Sequence, residues 1–149
     1  MEIADPVGAV IHHKGHEIWS VSPNASVLDA IAIMSAKNVG ALLVMEGKAL
    51  CGILTERDYT RKVVLKGRSS KDTAVRTIMN PDISCVHPTD TVEKCMKIMS
   101  QPGVRHLPVV ADGQVIGVIS LGDLVRWIMS AQKVMIDHLE RYIAGSYPA

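Results

Sequence analysis

Gly52-Ile53-Leu54-Thr55-Glu56-Arg57-Asp58 returns 65 positions later as Gly117-Val118-Ile119-Ser120-Leu121-Gly122-Asp123. Laying residues 21–61 on 86–126 without a gap keeps about a dozen identities in step, including Val, Pro, Met-Ser, Gly, Asp and Arg. Repetition on this scale constrains the architecture before any local reading, because both copies must be the same supersecondary unit. Each copy is an apolar run of β character that leaves through Gly to a hydroxyl residue, with Asp three positions later. That order predicts a strand feeding directly into a helix N-terminus. A chain of 149 residues can bury one good core, so the copies are expected to be halves of a domain pair, each marginal alone.

Composition excludes several functional classes. Net charge is +1, hydrophobic residues make up 48% and charged residues 21%, as in an ordinary globular protein. Aromatics amount to 3% with no Phe, too few for the stacking platform that a single-strand nucleic-acid binder needs. No apolar run approaches the ~18 residues of a membrane span, and the N-terminus has no charged-then-apolar leader pattern, so the cytosol is the expected compartment. Cys51, Cys85 and Cys95 are odd in number, lack metal-ligand spacing and sit among apolar residues; buried, reduced thiols are expected.

Along the chain, Pro6 opens an expected helix through about His13, broken by Gly15. His12 and His16 are four apart, but Gly15 intervenes and no third ligand completes a metal site. A short strand at Trp19–Val21 precedes a helix from Ser26 to about Lys37, with Ser26 and Asp29 spaced as a capping box. Val27, Ala30, Ile31 and Met34 form its core stripe, while Leu28, Ala32 and Ile33 make the remaining surface apolar too. A helix apolar nearly all round calls for cover on both sides. Ala41–Met45 and Ala49–Leu54 read as a hairpin, with a helix from Thr55 to about Leu65. Residues 66–73 are polar and small and form a linker; Val75–Met79 makes one helical turn. The second copy repeats the plan: a strand near Ser84–Val86, a helix over Thr91–Ser100, and strands at Arg105–Val110 and Gln114–Ser120. Asp112-Gly113 is a tight-hairpin signal between these last two. The last helix runs from about Leu121 to Ala144 and stops at Gly145. At 1.5 Å per residue it is roughly 35 Å long, with Val125, Ile128, Met129, Met135, Ile136, Leu139 and Ile143 as an apolar stripe. The expected division is therefore a first repeat over 7–65, a linker over 66–73 and a second repeat over 74–144.

The duplicated Gly-x-x-(Thr/Ser)-x-x-Asp motif, the matching helix and hairpin patterns and the Val75-x-x-Ile78-Met79 lead-in resemble a tandem pair of cystathionine-β-synthase (CBS) domains, a Bateman module. The resemblance covers the chain from about Val7 to the final helix, and is greatest to small stand-alone two-CBS proteins. It implies an α/β fold of two β-α-β-β-α repeats packed sheet to sheet about a pseudo-twofold axis, leaving two clefts. It further implies adenosine-containing ligands there: AMP, ADP, ATP, NAD or S-adenosylmethionine.

Ribose presents two adjacent hydroxyls, which one carboxylate accepts in paired charge-assisted hydrogen bonds. Asp58 and Asp123 are the candidates, with Thr55 and Ser120 one helical turn earlier. Thr55-x-x-Asp58 and Ser120-x-x-Asp123 also have the spacing of capping boxes, and a cap and a ligand contact can coexist. In the family, basic residues at the hairpin strand edge reach phosphate, so the resemblance assigns Arg105 and His106 to that role. The first copy has Gly40 and Ala41 there, which let a flat base approach the backbone. Arg57 stands beside Asp58, whereas Gly122 fills the matching place, so the two clefts are chemically unequal. Val21 and Val86, ending the short strands, complete the ligand-binding set implied by the resemblance. Arg57, Arg61, Lys62, Lys66, Arg68 and Lys71 form a basic run that reads as a solvated face or a docking edge.

No nucleophile stands with its base and no carboxylate cluster suits a metal, so the expectation is a non-enzymatic regulatory module that senses adenine nucleotides and modulates a partner protein. The competing expectation is an interaction scaffold with vestigial clefts. A homodimer through the Ser26–Lys37 helix and the last helix is expected in either case; neither nucleic acid nor membrane is.

Overall fold

The computed structural model describes residues 2–143. Its elements are α1 (Val7–Lys14), β1 (Ser20–Val21), α2 (Val27–Lys37), β2 (Ala41–Glu46), β3 (Ala49–Thr55), α3 (Glu56–Tyr59), a π turn (Thr60–Val64), α4 (Val75–Ile78), α5 (Val92–Met99), β4 (His106–Ala111), β5 (Gln114–Ser120) and α6 (Leu121–Ile143). Ala144 and Gly145, the expected end of the last helix, lie outside the described residues.

Contacts divide the chain into two compact units that interleave along the sequence. One, the first-copy unit, comprises Glu17–Cys85 with Ala111–Ile116; the second-copy unit comprises, among the described residues, 2–16, Val86–Val110 and 117–143. Each unit thus takes its lead-in helix from the other end of the repeat. Val75 N–H donates to Ala25 O and Arg76 N–H to Pro23 O, docking α4 on the first copy. Val7 N–H donates to Asp90 O and Gly8 N–H to Pro88 O, docking α1 on the second copy in the same way. Pro6 caps α1 with φ −72°, and Gly15 ends it at φ 108°, a conformation that suits only Gly.

In the first-copy unit β1 pairs parallel with β2, and β2 antiparallel with β3. Val21, Val27, Ala30, Met34, Leu42, Val44, Leu54, Val63, Val75 and Ile78 form one buried cluster, and Ile31 and Ile33 pack against it. Ile33 is therefore partly supported by its own core, whereas Leu28 and Ala32 are exposed on α2. In the second copy of the repeat β4 pairs with β5 across Asp112 and Gly113, at φ 52° and 76°. Two positive φ values in succession are what a tight type I′ hairpin requires.

The strand expected near Ser84–Val86 is reduced to one parallel bridge, Val86 to Val109. In the first copy Leu43 N–H donates to Trp19 O at 3.1 Å. The matching residue of the second copy is Pro108, which has no N–H to give Ser84, so pairing starts one step later.

The helix after β3 also differs from expectation. Its α-helical part stops at Tyr59, and Leu65 N–H reaches back to Thr60 O in a wider π turn. α6 buries Leu124 and Trp127, while the stripe residues Val125, Met129, Met135, Ile136, Leu139 and Ile143 are exposed.

Candidate functional site

Both duplicated motifs form at a strand-to-helix junction, and in each the carboxylate folds back on the strand end. In the first copy Asp58 accepts from Thr55 N–H at 3.0 Å and from Thr55 Oγ1 at 3.0 Å, while Asp58 N–H donates to Thr55 Oγ1 at 3.1 Å. In the second, Asp123 accepts from Ser120 N–H at 2.8 Å, and its own N–H donates to Ser120 Oγ at 3.1 Å. Both motifs are thus reciprocal capping boxes, with the shorter Asp in the place that Glu commonly takes.

The strand-edge residues close around each box. Glu56 N–H donates to Gly40 O at 3.1 Å, and Leu121 N–H to Arg105 O at 2.9 Å. Ala41 stands opposite Thr55 in the β2–β3 register. Thr55, Asp58, Gly40 and Ala41 therefore converge in one unit, and Ser120, Asp123, Arg105 and His106 in the other. Arg57 and Arg105 are exposed, and Val21 and Val86 are buried among core side chains.

Three cations that the motifs did not single out complete the electrostatics. Lys14, at the end of α1, donates to Asp123 Oδ2 at 2.6 Å and to Val118 O at 2.7 Å. Arg126 donates to Asp123 Oδ1 at 2.7 Å. In the first copy Lys62 lies 3.4 Å from Asp58 Oδ1 and donates to Ile78 O at 3.0 Å. Arg61 and Arg126 are identical between copies, a signal visible in the repeat, but the π turn begins at Thr60 and Lys62 meets the Asp58 carboxylate instead.

Burial of Asp123 opposes its ionisation, yet the hydrogen bonds from Lys14 and Ser120 and the charge of Lys14 together hold its carboxyl below the ordinary value. His106 is pushed the other way in charge: burial, reinforced by Lys14 and Arg105 and opposed by Asp123, lowers its pKa below 6.5. His106 is thus a neutral imidazole at pH 7 and brings no fixed positive charge.

The cysteines divide by position. Cys95 is buried, and desolvation pushes its thiol up to about 11. Cys51 is half-buried, and Cys85 is exposed, contrary to the expectation that all three are covered. Among the described residues no group of three or more His, Cys, Asp or Glu side chains is arranged to hold a metal ion, and no helix is long and apolar enough to cross a membrane.

Two segments, 7–65 and 75–130, match the CBS domain family. The chain belongs to that family. It is 40% identical over 138 residues to the CBS domain-containing protein CBSX3, mitochondrial, of Arabidopsis thaliana, covering 89% of this chain and 66% of that protein. Among solved structures, a putative signal-transduction protein with CBS domains from Burkholderia ambifaria is 44% identical with a TM-score of 0.82, over 85% of this chain and 96% of that one. The CBS domain pair of protein MJ0100, in complex with 5′-methylthioadenosine and S-adenosyl-L-methionine, shares the fold at 23% identity and a TM-score of 0.68, over 76% and 92% of the two chains. The tandem CBS fold is therefore established, and the relatives include CBS domain-containing proteins.

Proposed function

We propose that this CBS pair is a non-enzymatic regulatory module that binds adenosine-containing ligands at its two strand-to-helix junctions and passes their occupancy to a partner protein. The observation that supports this most is the duplication of the capping box in three dimensions. Each box fixes a carboxylate at the mouth of a strand end, where its two acceptor oxygens suit the paired hydroxyls of ribose. A CBS pair of the same fold is a complex with two adenosine derivatives, so the architecture can accommodate this chemistry. In this reading Asp58 and Asp123 take ribose, with Thr55 and Ser120 holding them in place. Gly40 and Ala41 leave room for the base in one site, and Arg105 offers charge in the other. Val21 and Val86 complete the proposed ligand-binding set.

AMP, ADP, ATP and NAD are the ligands proposed. A ligand at about 100 times its dissociation constant that binds only the folded state adds ~2.7 kcal/mol of stability. Thermal melting with AMP, ADP, ATP, NAD, NADH and S-adenosylmethionine is expected to show a rise with at least one. No shift with any of the six at millimolar concentration would refute the reading.

The assembly proposed is a homodimer. Its support is the face of α6 bearing Met129, Met135, Ile136 and Leu139, each more than half exposed, an apolar surface larger than scattered surface hydrophobics account for. The same surface favours the scaffold reading, in which the junctions hold no ligand and assembly is the function. A melting shift with nucleotide separates the two.

A further inference from the structure

α6 runs past the body of its own unit. Its first turns bury Leu124 and Trp127, but Gln132 through Ile143 are exposed on every side. The matched family segment ends at residue 130, so these turns are an arm added to the shared CBS fold. A helix of about a dozen residues is marginal in water without a packed face, which calls for a partner along the arm.

The spacing of the apolar residues makes that partner a helix. Ile128, Met135 and Tyr142 recur every seven residues, with Val125, Gln132 and Leu139 interleaved at the same period. This is the double seam of a coiled coil, in which a single polar residue such as Gln132 fixes register. Exposed fractions of 66% at Met135, 57% at Leu139 and 76% at Tyr142 leave the seam open. Beside it, a groove of about 840 Å³ opens between Ile3 and the α6 residues Ile128, Gln132 and Met135.

Charge sets the direction of pairing. Lys133 and Glu140 stand about two turns apart on one flank of the seam, and neither makes an ion pair among the described residues. A twofold axis across two antiparallel helices brings equivalent flanks together. With Leu139 set on the partner's Met135, Lys133 lies beside the partner's Glu140, and symmetry makes the contact twice. A parallel pair would set this flank against Ala131 and His138, leaving Lys133 without a carboxylate. The antiparallel register also brings the partner's Tyr142 to Gln132, where hydroxyl and amide satisfy each other and the ring fills the groove.

We propose that the arm of α6 pairs antiparallel with the arm of a second copy, each chain closing the other's groove with Tyr142. This pairing rests on the proposed dimer and adds the direction and register of its helices.

Sedimentation equilibrium of the full chain tests it, with wild type, Lys133→Glu, Glu140→Lys, the double variant and Tyr142→Ala. Every substituted residue is exposed, and circular dichroism checks that each variant folds. Either charge reversal is expected to raise the dimer dissociation constant about tenfold, because two exposed ion pairs become two repulsions. The double variant should return to within about threefold of wild type, and an equal mixture of the two single variants should associate more tightly than either alone. Tyr142→Ala should weaken association more than about tenfold, the scale of a buried aromatic anchor; wild-type affinity there would overturn its place in the groove. A dissociation constant that neither reversal moves, or that the double variant fails to restore, would overturn the antiparallel pairing while leaving a dimer through another face. A wild-type monomer at tens of micromolar would overturn the pairing and the dimer together.

Discussion

Ile11 sits so closely over Gly117 that a Cβ on the glycine would stand 2.6 Å from the isoleucine Cδ1. Met79 bears the same relation to Gly52, where a Cβ would meet its sulfur at 2.9 Å and Asn80 O at 2.9 Å. The glycine that opens each motif is thus the socket for a lead-in helix, and the strand end is clamped from behind. This places the capping boxes on a rigid floor.

Substituting either glycine therefore tests how the floor is built. Gly52→Ala meets a backbone oxygen fixed by the Asn80–Ile53 bridge, whereas Gly117→Ala meets the far end of a side chain that is fully buried. Overpacking of a tight core costs about 1–3 kcal/mol. Urea unfolding is expected to place Gly52→Ala at the upper end and Gly117→Ala at the lower. Equal stability to wild type for both would show that the lead-in helices are not seated on these glycines.

His106 predicts a pH effect with a defined sign. Its folded pKa lies below the ordinary 6.5, so the unfolded chain binds the proton more readily and stability rises with pH in that window. The contribution is complete above about pH 6.5 and is lost as pH falls from there through the folded value. His106→Gln should flatten that part of the stability curve. Asp123 acts separately, since its lowered carboxyl gives up its contribution only below about pH 4. A decline of equal size below about pH 6.5 in the variant would exclude His106 as its source.

The exposed face of α6 predicts twofold assembly. Light scattering at tens of micromolar should give twice the 16.1 kDa chain mass, and Ile136→Glu or Leu139→Glu should yield folded monomers. Ile33→Glu is expected instead to lower stability, because Ile33 packs on its own core. A wild-type mass of one chain would contradict the dimer.

The sequence reading recovered what repeats or local chemistry encode. The duplicated motif named the strand-to-helix junctions, Asp112-Gly113 marked a hairpin that two positive φ values confirm, and Gly15 ended α1. It missed what depends on partners distant in sequence. Nothing near Lys14 says that its ammonium reaches Asp123, 109 positions away. The interleaving of α1 with the second copy is equally invisible in linear order. The π turn after Asp58 has no composition of its own, and its consequence, that Lys62 replaces Arg61 at the carboxylate, appears only in three dimensions. Pro108 did carry a local signal, since a residue without N–H cannot extend the pairing to Ser84.

Equilibrium dialysis of ATP against wild type, Asp58→Ala and Asp123→Ala decides whether the two carboxylates hold ligand. Loss of one charge-assisted ribose contact should weaken its site by roughly 1.5–3 kcal/mol, more than tenfold. Two sites are expected per wild-type chain and one in each single variant, with different residual affinities because Lys14 and Arg126 bond to Asp123. Two sites of unchanged affinity in both folded variants would contradict it, reducing Asp58 and Asp123 to helix caps.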